Sequence, residues 1–321
     1  MKAARALCAA ALAAALFAAG SAEAADKMLL GLVSISANEA NNQRFIQGAT
    51  KAAEALGWQV SVIDAAGSAD QANAAMQNLV QRKAGAIIDM VFPVSSLGAG
   101  LKAAHDGHVP VATWGGGLGN GVVATNGSGG PMATPIIDML VRDLGGPQNA
   151  AGALLALTYH TGEVCRQREE VMDGILAKAP GIKVTKDEVR IPGFFQDGAQ
   201  YAAAWLAAHP AGREKLAVWG CWDDPAIGAI STLRQQRRHD VLVYGENGNA
   251  QAIDAIRKGL MTATAWQDSD TEGQTLVRTL NEAIRAGAAW QPRAVEVPAV
   301  VVTKATVDAF IKEHPDALAA N

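Results

Sequence analysis

Residues 28–64 read MLLGLVSISANEANNQRFIQGATKAAEALGWQVSVID, and their changing periodicity decides the fold. Residues 28–34 form an apolar run without alternation, which suits a parallel strand buried on both faces. A polar loop covers 35–42. Phe45, Ile46, Ala49, Ala52, Ala53 and Leu56 then recur at helical spacing until Gly57 caps the helix. Residues 58–64 return to a strand pattern. The unit repeats: Ala72, Ala75, Met76, Leu79 and Val80 mark a second helix, 85–92 a third strand, 97–105 a helix and 109–113 a fourth strand. Strands alternating with helices predict a parallel sheet with right-handed crossovers.

The second half has the same architecture without repeating the sequence. Strands are expected at 154–158, 184–191, 216–221 and 241–245, separated by helices near 163–179, 196–208, 225–237 and 249–258. Residues 261–266 look strand-like, 271–286 helical, and 297–302 apolar and β-branched. The expected fold class is α/β, with two doubly wound parallel-sheet lobes joined by a multi-strand hinge. The expected boundaries are a leader at 1–24, an N-terminal lobe from 25–126 plus 263–290, and a C-terminal lobe from 127–262 plus 291–321. The glycine-rich stretch 115–130 is either a crossing segment, since glycine absorbs large backbone changes, or a surface loop.

In front of the first strand stands an export signal. Lys2 and Arg5 are a positive start, 7–19 an uncharged apolar run, and Ala22-Glu23-Ala24 a small-residue cleavage site. The run ends at Gly20-Ser21, short of the roughly 20 apolar residues of a membrane anchor. Cleavage near Ala24 and a periplasmic mature chain are expected, and Cys8 leaves with the leader. The remaining Cys165 and Cys221 stand either as a disulfide, which an oxidising compartment permits, or as two buried thiols. Neither has a His or further Cys at metal-ligand spacing.

Composition narrows the function classes. The 321 residues carry a net charge of −4 with 50% hydrophobic content, enough for two cored domains. No basic run offers a nucleic-acid footprint. Nucleophile-elbow, HExxH and phosphate-loop motifs are absent, and the adjacent Asp223 and Asp224 make a poor acid/base pair. The expectation is a non-enzyme without cofactor or metal; an exported hydrolase is the alternative of a different class.

Several stretches together carry a family resemblance: Leu56-Gly57-Trp58 leading into Val60-Ser61-Val62-Ile63-Asp64, the helix 71–80 followed by Gly85 and Phe92-Pro93, Pro110-Val111, Pro225-Ala226-Ile227-Gly228-Ala229, Val243-Tyr244-Gly245 with Asn247-Gly248, and Ala263-Thr264-Ala265-Trp266-Gln267. In this order, behind a signal peptide, the chain resembles the type I periplasmic substrate-binding proteins of ABC importers, the ribose-, galactose- and allose-binding group. The resemblance covers nearly all of the mature chain. It implies a monomer that traps a sugar or sugar-like molecule between its lobes by a hinge motion and docks on an inner-membrane permease.

Carried over motif by motif, the resemblance implies ligand contacts at Asn41 and Asn42 after strand one and at Trp114 at the end of strand four. In the second lobe it implies Arg168, Phe195, Trp222, Asp223 and Asn247, with Gln267 at the hinge. Amide and guanidinium groups suit hydroxyls or a carboxylate, and indole faces suit a pyranose or flat heterocycle. Arg168 could instead pair with Glu170 or Asp173 on its own helix, and Trp219, inside a strand, reads as core. The ribose-type pattern has aromatic residues in the first loop and carboxylates after strand four and after Gly245. Asn41, Asn42, Trp114 and Asn247 occupy those places here. A nucleoside or other heterocycle is therefore the runner-up ligand class.

Overall fold

The computed structural model describes residues 27–318 except Asn120 and Ser128. The expected leader, its cleavage site and Cys8 lie outside the described residues.

The first sheet has strand order β11-β5-β4-β3-β1-β2. β1 (Leu29–Ser34) is central, with β2 (Gln59–Asp64) and β3 (Ala86–Met90) parallel on its two sides; Gly31 aligns with Ser61 on one and Ile87 on the other. This two-sided burial is why the β1 sequence shows no alternation. Beyond β3 lie β4 (Val111–Trp114), β5 (Val122–Asn126) and β11 (Arg293–Val295). The second sheet runs β12-β10-β9-β8-β6-β7. Its strands are β6 (Gly152–Thr158), β7 (Ile182–Glu188), β8 (Leu216–Gly220), β9 (Val241–Asn247) and β10 (Ala263–Trp266), with β12 (Val300–Thr303) antiparallel to β10 at the edge. The outer strand β7 carries lysines and acids on its exposed positions, which discourages edge pairing.

Helices cover both faces of each sheet: α1 (Ala40–Ala55), α2 (Ala69–Gln81) and α3 (Gly98–Asp106) in the first lobe, and α4 (Gly129–Asp143), α5 (Glu163–Leu176), α6 (Phe194–Ala208), α7 (Asp223–Gln235) and α8 (Ala250–Arg257) in the second. α9 (Ser269–Ala286) follows β10 yet packs on α1. Two glycines set that approach. A Cβ on Gly48 would lie 2.0 Å from the Asp270 carbonyl oxygen, and one on Gly273 would lie 2.4 Å from the Phe45 carbonyl oxygen. Phe45, Leu276, Val277 and Leu280 are fully buried behind this contact. A short α10 (Val307–Glu313) closes the second lobe, with Phe310 edge-on to Trp266.

The first crossing falls after Asn126, where the sequence reading put the lobe boundary, but the glycine-rich 115–130 stretch also contains β5, an edge-side strand too short to stand out among glycines. Two later crossings differ from that reading. Residues 263–266, expected with the first lobe, pair in the second sheet, because β9 offers them a parallel partner; the second crossing falls between Gln267 and α9. Residues 293–295, expected in the second lobe, extend the first sheet beside β5, and the chain crosses again before β12.

Candidate functional site

The carboxyl ends of the two sheets face each other across a cavity of about 50 Å³. Strand ends supply most of its wall: Ile35 and Ser36 after β1, Val91 after β3, Trp114 and Gly115 at β4, Gly127 after β5, Tyr159 after β6, Ile191 after β7, Trp222 after β8, Asn247 at β9 and Gln267 after β10, joined by the first turns of α1 and α5. A parallel sheet produces this convergence because its strands all deliver their loops to one edge.

The lobes touch. The Glu163 N–H donates to the Val91 carbonyl at 3.0 Å. The Arg44 guanidinium reaches from α1 to the carbonyls of Asn247 at 2.8 Å and Gly248 at 3.3 Å. At the hinge, Asn41 Nδ2 donates to Gln267 Oε1 at 3.2 Å, while Asn41 Oδ1 accepts from Ser269 Oγ at 2.6 Å and Arg44 Nη2 at 2.7 Å. Gln267 Nε2 in turn donates to Glu272 Oε2 at 2.6 Å.

Seven of the nine residues expected to contact ligand line the cavity: Asn41, Asn42, Trp114, Arg168, Trp222, Asn247 and Gln267. Asn42 sits in the first turn of α1, where its N–H donates to Glu39 and its Nδ2 to the Ser36 carbonyl at 2.7 Å, so it shapes the β1–α1 loop. The Trp114 ring stacks on Phe45 with centroids 4.4 Å apart, and its Nε1 donates to Glu272 at 2.7 Å. It forms a wall anchored in the core rather than a free platform.

Arg168 is 2% exposed. Its guanidinium donates to the Cys221 carbonyl at 2.5 Å and to Asn247 Oδ1 at 2.9 Å. The pairing with Glu170 or Asp173 that a helix surface would allow is not made; α5 turns Arg168 inward instead. Burial lowers the guanidinium from its ordinary range, and Glu246, Asp223, Glu39 and Glu272 work against that. Behind it Glu246 is pushed up to about 8 by burial, so the acid is largely neutral at pH 7.

Cys165 and Cys221 form a disulfide with Cα atoms 5.3 Å apart, joining the first turn of α5 to the end of β8. It fixes the Arg168 helix to the strand that presents Trp222. The Trp222 ring is held edge-on by Tyr159 at 5.9 Å and Phe194 at 5.6 Å.

Two of the residues expected to contact ligand lie off the cavity wall. Phe195 is 37% exposed and absent from the cavity wall; its neighbour Phe194 turns inward, because a helical start sends adjacent side chains about 100° apart. Asp223 is fully buried behind the wall, accepting from Thr264 Oγ1 and the Asn249 N–H, both at 2.7 Å. It organises the loop after β9, and burial raises its carboxyl to about 7.

The sequence reading missed Glu39, Val91, Val164 and Ile191 as wall residues. Glu39 precedes α1 and accepts from the Asn42 N–H at 2.8 Å, an N-cap role that Glu seldom takes, so no pattern signals it. Among the described residues no group of three or more His, Cys, Asp and Glu could hold a metal, and no helix is long and apolar enough to cross a membrane.

Comparison with known proteins places this geometry among relatives. A family model described as a periplasmic binding protein domain matches residues 30–288. The ribose import binding protein of Escherichia coli (strain K12) is 27% identical over 278 residues, covering 81% of this chain and 87% of the relative. A 5-methylthioribose transporter solute-binding protein from Thermotoga lettingae, solved with 5-methylthioribose, superposes with TM-score 0.81 at 21% identity, covering 92% and 93% of the two chains. An ABC transporter solute-binding protein from Agrobacterium vitis with bound allitol gives 0.80 at 22% identity, covering 90% and 99%. These structural likenesses establish two parallel-sheet α/β lobes of this type.

Proposed function

Because the chain belongs to the periplasmic binding protein domain family, we propose that it is a non-enzymatic solute receptor of an ABC importer. It captures a sugar or sugar-like small molecule between its lobes in the periplasm and, as a monomer, presents the closed form to an inner-membrane permease. One observation carries this reading: a single cavity is walled by Asn42 and Trp114 from one lobe, Arg168, Trp222 and Asn247 from the other, and Gln267 at the crossing. A molecule seated there gains contacts from both lobes only when they are together, so its binding energy drives closure. Among the described residues Ser36 is the only Ser or Thr on the wall and no His lines it, so no Ser or Thr nucleophile is paired with a His base there.

The sugar reading is preferred to a nucleoside. Trp114 is stacked on Phe45 and Trp222 is held edge-on by two rings, so both indoles are fixed by packing partners rather than free to close on a flat base. The test is a thermal-shift panel of pentoses, hexoses, inositols, polyols, 5-methylthioribose and nucleosides, with calorimetry on any hit. A ligand at about 100 times its Kd adds about 2.7 kcal/mol of stability. Stabilisation by one sugar class supports the reading; stabilisation by nucleosides alone, or turnover of a panel member, overturns it.

A further inference from the structure

The turns that lead into the second sheet gather cations that lie far apart in the sequence. β7, β6, β8 and β9 are adjacent and parallel, so the turns before them all fall on the edge of the sheet farthest from the cavity. Lys178 and Lys183 flank the start of β7, Arg213 and Lys215 precede β8, and Arg234 and Arg237 precede β9. All six are exposed, and among the described residues none of them makes an ion pair. Asp143 and Asp240 on this edge face Arg142 and Arg238 instead. Among the described residues of these turns, Glu214 is left as the one acid without a basic partner.

The four strands span about 14 Å at about 4.8 Å each, a width that meets several phosphates at once rather than one. Residues 177–183, 209–215 and 234–240 contain no Phe, Tyr or Trp to stack on a nucleic-acid base. The net charge of −4 on the whole chain does not oppose an anionic surface here. A strand of seven residues such as β9 rises about 23 Å, so the cavity edge and the first lobe lie well beyond the screening length of about 8 Å. Resting on the receptor reading above, we propose that this edge is a docking surface for the anionic phospholipid headgroups of the inner membrane. It holds the receptor near the permease by the outer end of its second lobe, while the cleft at the opposite edge stays clear of the lipid. With no aromatic anchor in the turns, the attachment is electrostatic, reversible and sensitive to salt.

The test is co-sedimentation of the chain from Ala25 with vesicles of pure phosphatidylcholine and of phosphatidylcholine with about 30% phosphatidylglycerol, at about 20 and about 150 mM salt. The anionic vesicles alone should bind, and more weakly at the higher salt. Arg213→Gln, Arg234→Gln and Arg237→Gln together should lower the vesicle partition about hundredfold, at about fivefold per cation. Arg82→Gln with Lys83→Gln, at the outer end of the first lobe, should change it less than about twofold. Equal binding to both vesicle types, no binding to the anionic ones at the lower salt, or an unchanged partition in the triple variant overturns the inference. An equal loss in the Arg82 and Lys83 variant overturns the assignment to this edge. Release from the vesicles by inorganic phosphate at constant ionic strength overturns it too, since the edge would then hold a free anion. Each of these results leaves the receptor reading standing, because no vesicle arm contains a ligand. A blank sugar panel, in turn, leaves the vesicle result unaffected.

Discussion

Glu39 and Asp224 are buried electrostatic neighbours from opposite lobes, Glu39 just ahead of α1 in the first and Asp224 in the first turn of α7 in the second. Burial raises both above the ordinary carboxylate range, and each works on the other. Burial and the neighbouring carboxyl together favour the protonated form of the pair when the lobes are closed. The groups that face the pair are Arg44 from α1, Asp223 beside Asp224, Asn249 ahead of α8, whose Nδ2 donates to Asp224 at 3.2 Å, and the charge of Arg168 from α5.

Ligand affinity should therefore fall as pH rises. When the lobes part, both carboxyls meet water and ionise in the usual range, so closing takes up a proton wherever the pH lies above that range. Calorimetry between about pH 5 and pH 8.5 should show Kd increasing by up to about tenfold per pH unit over part of that window. Glu39→Gln, which can still accept from the Asn42 N–H, should flatten the profile. A flat profile in the unaltered protein would refute proton uptake by this pair on closure.

Fold stability should follow the same sign for a separate reason. Glu246, pushed up to about 8, and Asp223 and Glu272, each to about 7, are raised mainly by burial. The folded chain holds protons that the unfolded chain has released, so the stability these three groups contribute is full below the usual carboxylate range and is lost as pH climbs through 7 and 8. Melting without ligand should occur several degrees lower at about pH 8.5 than at about pH 5.5. Glu246→Gln should recover part of that loss at the alkaline end.

Arg168→Lys is the substitution that separates charge from geometry. Lysine keeps the charge but cannot reach the Cys221 carbonyl and Asn247 Oδ1 together as the planar guanidinium does. Affinity for the ligand should drop by about two orders of magnitude, read by calorimetry. A variant that binds within a factor of about two of the unaltered protein would show that Arg168 only scaffolds the wall.

Gly48→Ala tests the contact between α1 and α9. The added methyl would occupy the position of the Asp270 backbone, so the helices must separate. A loss of about 1–3 kcal/mol is expected, measured by chemical denaturation. An exposed control such as Gly98→Ala, with nothing within 4 Å of the new Cβ, should be near neutral or slightly stabilising.

Removing the disulfide with Cys165→Ala and Cys221→Ala should cost about 2–4 kcal/mol, since it closes a long loop in the unfolded chain. Affinity should fall as well, because α5 and the end of β8 carry Arg168 and Trp222. Loss of stability with unchanged affinity would confine the bridge to a stabilising role.

The sequence was most legible where one physical rule governs a whole segment. β1, α1 and β2 stand out through hydrophobic periodicity alone, and parallel alternation led directly to strand-end loops as the site. β5 and β11 escaped because they are short outer strands whose pairing is decided by residues far away in the chain; Ala124 aligns with Arg293. Arg168 and Trp222, expected from motif order, lie on the cavity wall, whereas Asp223, one residue further, faces backward and Phe195 faces outward. Which side of a helix start a residue takes is set by packing, as Phe194 against Trp222 shows.

The β11 strand has a consequence for how the molecule is assembled. The first sheet receives its outermost strand from residues 293–295, about 170 positions after its neighbour β5. A chain emerging from its N-terminus cannot finish its leading lobe until nearly all of it has appeared. Until residues 293–295 arrive, the outer edge of β5 stands without its partner strand.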